Sequence, residues 1–137
     1  MKRIYLFIGF TALILISCGK YEEGPMFSLR TKKARLANTW EVDKAELNGD
    51  SEFNGQSVTS LFEGHAHEIN KDGTFSFSSP DYETITGDWE FSDDKEEVEF
   101  ETEDGDEFEW EIIRLTNNEL FIEQEDQNGN LFYLEMK

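Results

Sequence analysis

The sequence predicts an all-β domain, an eight-stranded antiparallel up-and-down barrel with a short N-terminal helix. Three observations carry this. From Asn38 to the C-terminus, apolar and polar residues alternate with period two, the pattern of strands buried on one face. The alternating runs are separated by short stretches rich in Gly, Asn, Asp and Pro, residues that tolerate turn dihedrals. Eight runs joined so briefly favour sequential antiparallel pairing, and closing the meander into a barrel removes the two edges an open sheet would expose. A two-sheet sandwich needs the same alternation and is the competing architecture.

The chain opens on Lys2 and Arg3, continues with an apolar run from Ile4 to Ile16, and breaks at Ser17 and Cys18. A basic start, an apolar stretch too short for a lasting bilayer span and a small residue at the break describe a secretory signal peptide. Leu15-Ile16-Ser17-Cys18 resembles a bacterial lipobox. That resemblance implies cleavage before Cys18, acylation of its thiol, and a protein held by lipid in the outer membrane, facing the periplasm or the cell surface. The organisation expected is therefore a signal peptide over 1–17, the lipidated cysteine and a flexible tether over 18–26, and a barrel domain over 27–137. Cys18 is the only cysteine, so packing without disulfides must hold the domain together.

Phe27, Leu29, Ala34 and Leu36 interleave with Arg30, Lys32, Lys33 and Arg35 at spacings that suit one short helix. Strands are expected over 39–47, 65–70, 74–78, 83–91, 96–102, 107–115, 119–124 and 131–136, with a looser stretch over 51–64. Parity puts Phe75 with Phe77 on one face, Ile85, Gly87, Trp89 and Phe91 on one face, and Val98 and Phe100 on the same side as Phe108, Trp110 and Ile112. A hairpin loop of Asp104-Gly105-Asp106 would set Phe100 opposite Trp110 inside and Glu99 opposite Glu111 outside.

The formal charge is −19, and loss of the signal peptide with Lys2 and Arg3 takes it to −21. So acidic a surface repels nucleic acid and excludes that partner class. Twelve acidic residues against one lysine between Asp93 and Glu111 read as a solvated face whose like charges discourage sheet-on-sheet aggregation. No Gly-rich phosphate loop, framed nucleophilic serine or singled-out carboxylate suggests catalysis, so no enzyme and no cofactor are expected. His65 and His67, the only histidines, are two apart on a strand and point to one face. They are weak candidate metal ligands, since a third His or Cys is missing; the plainer reading is two exposed strand histidines, with no metal.

Leu36-Ala37-Asn38-Thr39-Trp40-Glu41-Val42, Asp72-Gly73-Thr74-Phe75, Gly87-Asp88-Trp89-Glu90-Phe91 and the segment from Ile113 to Leu120 together resemble bacterial lipocalin-like lipoproteins. Asn38 stands where lipocalins usually have Gly. The resemblance implies a calyx for a small apolar ligand, with Trp40 closing one end of the barrel and Arg114 laid across it; the equal alternative for Arg114 is an outward side chain paired with a nearby Glu. Trp40, Phe75, Phe77, Trp89, Phe100, Phe108 and Trp110 are the candidate lining; the alternative is that they fill the interior completely. Two functions follow as expectations. One is a lipid-anchored barrel that binds a small apolar molecule. The other is a ligand-free envelope module acting through its acidic exterior.

Overall fold

The computed structural model describes the backbone of Glu22–Glu23 and residues 30–137. The expected signal peptide, the expected acylation site Cys18, the rest of the expected tether, and Phe27 and Leu29 lie outside the described residues. The elements in order are β1 (Glu22–Glu23), α1 (Lys32–Leu36), β2 (Thr39–Trp40), β3 (Val42–Leu47), β4 (Glu52–Phe53), β5 (Gln56–Ser57), a 3₁₀ turn (Thr59–Phe62), β6 (Ala66–Ile69), β7 (Thr74–Ser78), β8 (Ile85–Phe91), β9 (Glu97–Thr102), β10 (Glu107–Leu115), β11 (Leu120–Glu125) and β12 (Leu131–Met136).

The barrel wall runs β2-β6-β7-β8-β9-β10-β11-β12-β3. Because β2 and β3 are consecutive halves of one segment broken at Glu41, these nine strands occupy the eight expected positions, and the two ends of the path meet in a nearly closed antiparallel barrel. Glu41 stays in the wall by exchanging both backbone hydrogen bonds with Lys137, each 3.0 Å. The expected boundaries hold within two residues. The helix is shorter than expected, a single five-residue stretch: the Thr31 hydroxyl caps it by accepting the Ala34 N–H at 3.1 Å, and Ala37 leaves helical dihedrals.

Beyond Trp40 the first strand parts from β6, and β3 turns its free side to the stretch over 51–64. That stretch is a small β4–β5 hairpin followed by the 3₁₀ turn. The Thr59 hydroxyl fills the gap in the ladder, accepting the Ala45 N–H at 3.0 Å and donating to the Ala45 carbonyl at 3.5 Å. Val58 beneath it is fully buried. One threonine and one valine thus supply what a neighbouring strand would have.

Three hairpins use one loop design. In 71–73, 103–105 and 127–129 the third loop residue is glycine at positive φ, 91°, 89° and 82° in turn, which lets a tight turn rejoin the ladder. This corrects the β9–β10 register. The loop is Glu103-Asp104-Gly105, closed by the Thr102 N–H donating to the Asp106 carbonyl at 2.8 Å, so Phe100 lies opposite Phe108 and Val98 opposite Trp110. Face parity is as expected; the pairing is shifted by two residues because glycine takes the last loop position. Outside, three rows of carboxylates cross the wall: Asp88–Glu101–Glu107, Glu90–Glu99–Glu109 and Glu97–Glu111–Glu123.

Gly87 is required where it stands. A Cβ there would sit 2.0 Å from the Glu101 carbonyl oxygen and 2.8 Å from the Thr102 Cα, so β8 and β9 approach more closely than any side chain permits.

Candidate functional site

The barrel has two unlike ends. At the helix end α1 lies beneath the barrel, Leu36 and Trp40 are fully buried, and both ends of this seal use indole N–H groups on backbone carbonyls. Trp40 Nε1 donates to the Leu36 carbonyl at 2.9 Å, and Trp89 Nε1 donates to the Asn70 carbonyl at 2.8 Å. The Lys33 ammonium sits 5.7 Å from the Trp89 ring centroid, over its face. At the open end four connections meet: 48–65, 79–84, 103–106 and 126–130.

The seven candidate lining residues all point inward, but they divide. Trp40 and Trp89 belong to the sealed end. Phe75, Phe77, Phe100, Phe108 and Trp110 form one group of touching rings, with Phe77 stacked on Trp110 at 5.2 Å, Phe100 stacked on Phe108 at 4.8 Å and Phe75 edge-on to Phe100 at 5.1 Å. Phe75, Phe100 and Trp110 are at most 2% exposed, so the middle of the barrel is filled by side chains. Phe77 and Phe108, nearer the open end, remain partly exposed.

His65 and His67 share the inward face, as parity requires, rather than standing exposed. His67 is buried between Phe77 and Trp110, ring centroids 4.9 and 5.8 Å away, and its Nδ1 lies 3.3 Å from the Trp40 carbonyl. A carbonyl only accepts, so Nδ1 carries a proton. Burial pushes its pKa down to about 4 against the opposing effect of that hydrogen bond, and the neighbouring His65 lowers it further. His65 extends the row toward solvent, 6.5 Å from His67 and edge-on to Phe62 at 5.5 Å. Among the described residues no group of three or more His, Cys, Asp or Glu is placed to hold a metal ion.

Three further residues of the open end escaped the sequence reading. Gln124 points inward on β11 after Leu120 and Ile122 and accepts the Trp110 indole N–H at 3.0 Å. Phe132 alternates with Leu134 and Met136, so parity alone would have found it. Phe62, edge-on to Phe132 at 6.0 Å, sits in an irregular connection where no period points to it.

Arg114 is not laid across Trp40. A bulge between Ile112 and Arg114 inserts an extra residue and reverses the parity of β10, so Leu115 is buried inside and Arg114 faces out. Its Nε donates to Glu119 at 3.1 Å, and the guanidinium lies 5.8 Å from the Phe121 ring centroid. A recess of about 450 Å³ lined by Glu90, Phe91, Ser92, Asp93, Asp94 and Glu99 lies on the β8–β9 side of the molecule, away from the open end.

No protein-family model matches the chain, and no curated protein is significantly similar to it. Among solved structures it is similar to the crystal structure, at 2.60 Å resolution, of an uncharacterized protein from Bacteroides eggerthii DSM 20697. The two share 14% identity with a TM-score of 0.48, over 74% of this chain and 98% of that chain.

Proposed function

We propose that the protein is a lipid-anchored lipoprotein of the outer membrane, acylated at Cys18, whose lipocalin-like barrel takes a small, mainly apolar molecule at its open end. It works by binding, without catalysis and without a cofactor. The observation that carries the ligand reading is the distribution of apolar surface. Phe53, Leu61, Tyr82, Ile85 and Leu131 are the exposed large hydrophobic residues among those described, and all five lie on the connections or strand ends of the open end. Beneath them stand the half-buried Phe62, Phe77, Phe108 and Phe132. Such a rim suits an apolar ligand, while Gln124 and the His65–His67 pair offer a few polar groups to orient it. The rings of Phe75, Phe100 and Trp110 limit entry to the upper part of the barrel.

The packing of those same rings favours a second reading, a ligand-free envelope module acting through its acidic exterior. Native mass spectrometry of gel-filtered protein separates the two. A retained small molecule, lost on replacing Phe77 and Phe108 with Ala, supports the first; a bare mass, with no change in Trp110 fluorescence on titrating fatty acids or other small apolar compounds, supports the second. The anchor has its own test, since Cys18→Ser should block processing and move the protein out of the membrane fraction.

A further inference from the structure

We infer that the helix end of the barrel is the surface that rests on the membrane, against anionic phospholipid headgroups, with the open end turned away from the bilayer. This deepens the lipoprotein reading and rests on it. Two independent observations point the same way. The first is charge. Residues 30–137 contain nine lysines and arginines, and eight of them lie at the helix end: four on and beside α1, Lys71 and Lys95 in its turns, Arg114 at the end of β10, and Lys137 at the C-terminus. Lys44, midway along β3, is the ninth. The four connections of the open end carry nine acidic residues and no lysine or arginine. The helix-end turns also carry Asp72, Asp93, Asp94, Glu96 and Glu119, so this pole is not purely cationic, but it is far less negative than the open end, and near an anionic surface the molecule turns it inward.

The second observation is chain path. β10 outruns β9 at its helix end, and β1 pairs in parallel with the edge so exposed, Glu22 opposite Arg114 and Glu23 opposite Leu115. Glu22 is four residue steps from Cys18, which bounds the distance from anchor to barrel at about 14 Å. The lipid thus emerges beside the basic pole. The apolar rim of the open end is the rival membrane contact, but its connections carry nine Asp and Glu without a Lys or Arg, and anionic headgroups repel them.

Fluorescence transfer to a headgroup-labelled acceptor tests this on the full acylated protein, reconstituted in phosphatidylcholine vesicles with and without phosphatidylglycerol. Acylation consumes the only native thiol, so Asn118→Cys at the helix end or Asp104→Cys at the open end supplies a single labelling site. β10 spans nine residues, and at a rise of about 3.3 Å and a tilt of about 40° the two ends stand about 23 Å apart along the barrel axis. Transfer from position 118 should exceed that from position 104 by at least about twofold on phosphatidylglycerol vesicles, and the contrast should shrink in 1 M salt, where the screening length is about 3 Å. Replacing Lys32 and Lys33 with Glu should shrink it as well. Equal transfer from both sites, a contrast indifferent to phosphatidylglycerol, or greater transfer from position 104 overturns the orientation. Uptake of thiol label by the protein without an added cysteine instead overturns the acylation on which it rests.

Discussion

At the helix end Leu36, Trp40, Leu115, Leu120 and Met136 are completely withdrawn from solvent, whereas at the open end Phe53 is 52%, Tyr82 78% and Ile85 48% exposed. Both regions are rich in large apolar side chains, so hydrophobicity alone does not separate them. The difference lies in what covers them. The helix end has a lid, α1, whose Leu36 both packs on the core and offers its carbonyl to Trp40. The open end has loops that carry hydrophobic residues outward, and among the described residues nothing is laid over them. Burial follows from an available partner, and the end without one is where a ligand or another molecule has room.

The sharpest way to break this contrast is to truncate one large apolar side chain at each end. Trp40→Ala should cost about 3–5 kcal/mol, as for large aromatic residues in a closed core, while Ile85→Ala should stay within about 0.5 kcal/mol, as surface changes do. Urea denaturation measures both. Equal losses would mean that the open end is packed as tightly as the sealed one.

His67 stands between the ends and makes the contrast pH-dependent. The unfolded histidine takes its proton near 6.5 and the native one only at about 4, so in between the unfolded chain holds more protons. The stability tied to the neutral ring is complete above about pH 6.5 and is lost as pH falls through about 4, a total of about 3 kcal/mol. Denaturant midpoints should fall accordingly between pH 6.5 and pH 4, and His67→Phe should flatten that part of the profile. An unchanged slope in the variant would show that carboxylates, not this imidazole, govern the window.

A smaller effect is expected on the outer wall. The three carboxylate rows place like charges directly across β8, β9, β10 and β11, each such pair being unfavourable by a few tenths to about 1 kcal/mol. Added salt should therefore raise the melting temperature, and Glu99→Gln should raise it while weakening the salt effect. A melting temperature indifferent to salt would mean that these side chains splay apart into solvent. Smallest of all, Arg114→Ala removes a partly exposed ion pair with Glu119 and should cost at most about 1 kcal/mol, with tryptophan fluorescence unchanged. A spectral shift would restore the stacking of Arg114 on Trp40 that the lipocalin resemblance implies.

The barrel was legible because its turns repeat a chemistry. Lys71-Asp72-Gly73 and Gln127-Asn128-Gly129 are loops that end in glycine, and each sets its register as the alternation demands. The β9–β10 register departs from the expected one because Asp104-Gly105-Asp106 looks symmetrical; ending the loop on Gly105, as in the other two, gives the observed pairing. Arg114 was illegible for a different reason. Counting by twos along β10 fails at the bulge after Ile112, and no residue type there advertises an extra position. The inward histidines were misjudged because polarity suggested solvent, although the parity that placed them on one face with Ile69 was already in the sequence. Phe62 and Val58, which complete the open end and the wall, lie in an aperiodic stretch whose role exists only once β3 and β6 have parted.

That parting gives the 51–64 stretch a meaning beyond wall repair. By occupying the amide and carbonyl of Ala45 with one hydroxyl, Thr59 keeps the barrel's single seam from recruiting a strand of another molecule, and does so with a contact that unzips without breaking any ladder. A wall held elsewhere by continuous pairing has here a hem fastened by one stitch. The seam between β3 and β6 is accordingly, among the described residues, the place where a side chain rather than a strand completes the wall.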